Sequence, residues 1–139
     1  MSLARDLADL GSSATKLDAV GSNLIINGAM TIDQRNAGAS VTVNTGNAFY
    51  SVDRFFGAGT GSAGVFTLQQ STDTPVGFSN SVKITVTTSA TASGTDNYRF
   101  NQAIEGFNFA HLEFGSSNAK SITLSFWVRS SLTGTFGGA

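Results

Sequence analysis

Residues 122–128, Ile122-Thr123-Leu124-Ser125-Phe126-Trp127-Val128, place an apolar side chain at every second position. A period of two belongs to a strand with one face in a core, because successive Cβ atoms point to opposite sides. The pattern directs Ile122, Leu124, Phe126 and Val128 inward. Core is the first expectation for Phe126 and Trp127 alike, as for Phe55 and Phe66, since each ring buries a large area. Phe126 and Trp127 are neighbours, however, and neighbours in a strand face opposite ways. One of the two therefore meets a second layer, a partner or a ligand, and Trp127 is a candidate ligand or subunit contact.

Reading outward, Val82-Lys83-Ile84-Thr85-Val86-Thr87 has the same alternation, with Val82, Ile84 and Val86 on one face. Val65-Phe66-Thr67-Leu68-Gln69-Gln70 reads as a strand, and 49–56 is rich in aromatics. Residues 98–109 hold one or two more strands. Leu24-Ile25-Ile26 runs into Asn27-Gly28, a strong turn dipeptide. Gly- and Ser-rich joints at 57–64, 89–96 and 115–118 separate these segments, and Gly57-Ala58-Gly59-Thr60-Gly61 reads as turn. The single Pro75 sits in a loop signal. Six or seven strands at such spacing predict a mainly β chain, an antiparallel β-sandwich of jelly-roll type.

Residues 1–22 are different. Leu3, Leu7, Leu10, Ala14 and Leu17 follow spacings of 4, 3, 4 and 3, the seam of a heptad helix. Gly11-Ser12-Ser13 interrupts it. A helix this short is marginal alone in water, so its stripe needs a partner surface. It docks on its own domain, or it forms a short self-associating bundle or a peg in another protein. The expected organisation is an N-terminal helical arm over 1–22, for anchoring or trimerisation through Leu3, Leu7, Leu10 and Leu17, then a β-sandwich over 23–139. The chain stops at Thr133-Gly134-Thr135-Phe136-Gly137-Gly138-Ala139, soon after the 122–128 pattern. A jelly roll calls for about eight strands, so the chain is expected to be the front of a longer polypeptide. The alternative is a complete small sandwich with a loose tail.

Composition narrows the class. The chain has 139 residues, 8 basic and 9 acidic side chains, net charge −1, and only 12% charged residues. Without a basic cluster, nucleic acid is not an expected partner. No apolar run approaches about 20 residues, so no membrane insertion is expected. The absence of Cys excludes disulfides and thiolate metal sites. Gly, Ser, Thr and Asn supply the polarity, as in many all-β extracellular and virion proteins. The opening Met1-Ser2-Leu3-Ala4-Arg5-Asp6 lacks the basic start and apolar stretch of a secretory signal. A virion component, assembled in a host cytoplasm and released by lysis, fits both features.

Catalytic patterns are weak. His111 is the only histidine, and no Gly-x-Ser-x-Gly elbow accompanies it. Glu105 and Glu113 are close enough in sequence to suggest an acid–base pair on a glycoside, but nothing fixes their separation. Asp33, Asp53, Asp73 and Asp96 are scattered without Asp-x-Asp spacing. The glycine runs lack the Lys-Ser/Thr ending of a phosphate loop. The expectation is no enzyme and no cofactor. Arg35, Arg54, Arg99 and Arg129 sit at or beside apolar strands, where they close strand ends on Asp or backbone carbonyls, or bridge subunits.

Four segments carry a family resemblance. Asn23-Leu24-Ile25-Ile26-Asn27-Gly28-Ala29-Met30 is followed by Gln34-Arg35, then by Tyr50-Ser51-Val52-Asp53-Arg54-Phe55-Phe56. Next come Tyr98-Arg99, Gln102, Ile104-Glu105-Gly106, and last Thr123-Leu124-Ser125-Phe126-Trp127. In this order they resemble a family of phage virion domains, and Ser2 to Leu10 is similar to short N-terminal arms of tail-fibre proteins. The resemblance covers about residues 23 to 130. It implies a jelly roll like carbohydrate-binding modules, in a tail fibre that is usually a homotrimer. The partners it implies are further copies of the chain, other phage tail proteins and host-surface glycan, and the location it implies is the virion tail. It assigns no sugar-contacting residue. The alternatives are a glycan-binding module and a capsid or tail decoration protein.

Overall fold

The computed structural model describes residues 23–134, except 45, 62 and 92. The expected arm, with Leu3, Leu7, Leu10 and Leu17, lies outside the described residues. Within them the chain is mainly β: two antiparallel three-stranded sheets and one short helix. Six strands run β1 Val41–Val43, β2 Ala48–Tyr50, β3 Phe55–Thr60, β4 Val65–Ser71, β5 Ser81–Thr88 and β6 Asn97–Gln102. The first sheet has the order β1-β4-β5 and the second β2-β3-β6.

Side chains of both sheets meet in one core. In the first sheet Val43 pairs with Phe66, and Leu68 pairs with Val41 on one side and Ile84 on the other. Paired residues share a face, so Val43, Phe66 and Leu68 project together and are buried. In the second sheet Phe49, Gly57 and Phe100 form one cross-strand row. Phe49 and Phe100 pack against the Val43–Phe66–Leu68 cluster, joined by Val82. Gly57 lets the two sheets approach. A Cβ there would lie 2.7 Å from Leu68 Cδ1 and 2.8 Å from Val43 Cγ2. Phe55 is also buried and stacks on Phe100, centroids 5.1 Å apart.

Several expectations are corrected. Gly57 and Gly59 lie inside β3 and not in a turn, because a crowded core row favours a residue without a side chain. Residues 103–112 leave the sheet after β6 for a helical turn, Gly106–Phe109, and a 3-10 turn, Ala110–Leu112. Of the one or two strands expected in 98–109, one forms, β6. Residues 122–128 join no strand, and Phe126 and Trp127 are 65% and 77% exposed instead of core. Alternation gives a segment a face but not a neighbour, and ladder hydrogen bonds need both. Ile84 and Val86 share the face of Leu68 and Phe66, yet stay exposed because nothing among the described residues covers them.

Candidate functional site

The segment 23–40 has no strand before β1, so its backbone groups need other partners. Amide side chains supply them. Asn27, at φ 57°, donates from Nδ2 to the carbonyls of Ile32 and Asp53, each 2.9 Å. Its Oδ1 accepts from the Ile32 N–H at 3.0 Å. Asn tolerates this left-handed backbone better than other non-glycine residues. The Gln102 amide meets the Ile26 backbone in two bonds: Oε1 accepts from Ile26 N–H at 3.0 Å and Nε2 donates to Ile26 O at 2.6 Å. Asn36 reaches the Ser51 carbonyl at 2.6 Å, and Gln70 the Met30 carbonyl at 2.6 Å. Asp33 accepts from the N–H groups of Asn36 and Gly38.

The turn between β2 and β3 faces this segment. Phe55 N–H donates to Val52 O, which puts Arg54 at the third turn position with φ 76°. That position suits Gly, so Arg54 holds a strained backbone. Its Nη2 donates to both carboxylate oxygens of Glu105, at 2.7 and 2.8 Å, and to Ala103 O at 3.3 Å. Its Nε is buried with no hydrogen-bond partner among the described residues. The bond from Arg54 is the main reason that the Glu105 carboxyl titrates below its ordinary range; the Glu105 backbone N–H helps, burial opposes it, and the Arg54 charge and Asn108 amide add to the lowering.

These groups line a cleft of about 660 Å³ on the second sheet. Phe49 and Gly57 face the core, so Tyr50 and its partner Phe56 point to the opposite, outer face. Their rings lie 5.4 Å apart. The Arg35 guanidinium sits 4.9 Å over the Tyr50 ring, a cation–π contact at the cleft mouth. Gln34, Arg54 and Glu105 complete the polar wall. The result is an aromatic shelf edged by two guanidinium and two carboxylate side chains, counting Asp53.

Of the residues singled out in the sequence, Arg35, Asp53, Arg54 and Glu105 come together here. Trp127 does not line this cleft. His111 is exposed in the 3-10 turn. Glu105 is engaged by Arg54, whereas Glu113 caps that 3-10 turn at φ 54°. Arg129 pairs with Asp73, and Asp96 accepts from the Ser93 N–H and hydroxyl. No group of three His, Asp or Glu side chains among the described residues is placed to hold a metal ion. No helix among them is long and apolar enough to cross a membrane. The Arg35–Tyr50 shelf has no mark in the sequence, because nothing local pairs a cation with a ring fifteen residues away. Its residues come from three stretches far apart in sequence, 34–35, 50–56 and 103–105.

No family model, curated protein or solved structure matches this chain.

Proposed function

We propose that this chain is a non-enzymatic structural module of a phage virion, the N-terminal region of a tail fibre. It attaches the fibre to the tail, supports host adsorption, and carries a jelly-roll-like sandwich behind a trimerising arm. One observation carries the reading. Three of the four segments that resemble phage virion domains, far apart in sequence, meet at one hydrogen-bonded junction: Asn27 with Asp53, Gln102 with Ile26, and Arg54 with Glu105. Apolar side chains left in solvent, among them Val76, Phe107, Trp127 and Leu132, suit a chain that works inside an assembly. The test is the mass of the full chain in solution by light scattering. A trimer that Leu7→Asp dissociates is expected, because a charge on the apolar seam has no partner. A monomer with the arm intact overturns the reading.

The cleft favours a second reading, a module that binds host-surface glycan. An exposed aromatic ring beside fixed polar groups is the arrangement that holds a sugar ring by its apolar face and its hydroxyls. Saturable binding to a host surface polysaccharide, lost in Tyr50→Ala and kept in Trp127→Ala, is the expected result. Equal binding by both variants removes the cleft from consideration.

A further inference from the structure

We propose that residues 122–128 of this chain pair with its own β5, antiparallel, as a fourth strand of the first sheet. This does not depend on the virion reading. β5 is the end strand in the order β1-β4-β5, so one row of its backbone N–H and C=O groups has no ladder partner among the described strands. Beyond Val82 its inner face is apolar and, among the described residues, uncovered: Ile84 and Val86 are 52% and 59% exposed, though their register partners Leu68 and Phe66 are buried. A free, apolar edge of this kind is a pairing surface.

The occupant is identified by pattern, direction and position. Residues 122–128 have the alternation of a strand without a neighbour, and their apolar members Leu124, Phe126 and Val128 are all more than half exposed. Arg129 is ion-paired to Asp73, whose carbonyl accepts from the Ser81 hydroxyl at 2.8 Å. The Arg129 side chain thereby reaches Asp73, which itself bonds the first residue of β5. From that anchor the segment can follow β5 only by running opposite to it. Placing Arg129 across from Ser81 sets Val128 against Val82, Phe126 against Ile84 and Leu124 against Val86. Every apolar residue of β5 then gains an apolar partner on the core face. Thr123 falls opposite Thr87 and Ser125 opposite Thr85 on the outer face. Trp127 falls opposite Lys83, close enough for a cation–π contact. A slip of one residue would turn Phe126 and Leu124 away from the core, so the parity is fixed.

The chain contains no Cys, so introduced cysteine pairs report the pairing cleanly. Residues directly opposite in an antiparallel pair have the Cα spacing that a disulfide accepts. Under mild oxidant, Lys83→Cys/Trp127→Cys and Thr85→Cys/Ser125→Cys are expected to close within a monomer. The opposite-parity pair Lys83→Cys/Leu124→Cys is expected to stay reduced. Peptide mapping and non-reducing electrophoresis read the result. Disulfide-linked dimers would assign β5 to the strand of a second copy and overturn the proposal. So would equal oxidation of all three pairs, or oxidation of none.

Discussion

At the scale of residues, few charges and many amides have a structural meaning. Asn27, Asn36, Gln70 and Gln102 each bond a backbone group that no strand serves. Asn27-Gly28 was legible as a turn, since that dipeptide favours positive φ. The long-range use of Gln102 was not legible, because an amide side chain carries no sequence mark of its partner. Arg54 was legible as a strand-end cation but not as the occupant of a left-handed turn position. Its pair with Glu105 has a pH signature. The folded-state carboxyl titrates below its ordinary value of 4.5. The stabilisation it contributes is therefore complete above that ordinary value and is lost as pH falls through the lower, folded one. The comparison is between the wild-type chain and Glu105→Gln in urea unfolding, at about pH 7 and about pH 3. The wild type is expected to unfold at higher urea at neutral pH, with the difference closing in acid. A difference that stays constant with pH would remove the ionised pair as its cause.

At the scale of elements, β4 and β5 were legible because their alternation is backed by a partner: Phe66 and Leu68 have Val43 and Val41 beside them. The aromatic stretch 49–56 proved to be two short strands and the turn joining them, β2 and the start of β3. Composition showed its apolar character but not the reversal at Val52–Phe55, which rests on a non-glycine residue at positive φ. The glycines of β3 misled for a related reason. Gly in a sequence marks either a turn or a close approach of two backbones, and only the facing sheet separates the two. The stretch 122–128 shows the converse. Its pattern is as clear as that of β5, yet pairing is a property of two segments, and a local pattern describes one.

At the scale of the whole molecule, the two sheets depend on each other through a small area. Val43, Leu68 and Val52 are almost fully buried, and among the described residues the core cluster itself contains only Val43, Phe66 and Leu68. Gly57 stands opposite that cluster, and its missing side chain sets the distance between the sheets. A methyl group at Gly57 would meet Leu68 Cδ1 and Val43 Cγ2 well inside van der Waals contact. Both are methyls of side chains with no exposed surface, so they can give way only by disturbing the core or by moving the sheets apart. Overpacking of this kind costs about 1–3 kcal/mol, against a total stability that for a domain is only about 5–15 kcal/mol. Gly57→Ala is therefore expected to lower the urea midpoint clearly, and Gly57→Val to lower it further. Gly94→Ala, where an added Cβ meets nothing within 4 Å, is expected to change little. The cost of Gly57→Ala should shrink in a Leu68→Ala background, because the same space has been vacated. Hydrogen exchange supplies the second readout. If one core holds both sheets, Gly57→Ala accelerates exchange in β5 and in β6 together, although neither strand is altered. Loss of protection confined to the second sheet would mean that the sheets are stabilised separately and that Gly57 serves only its own.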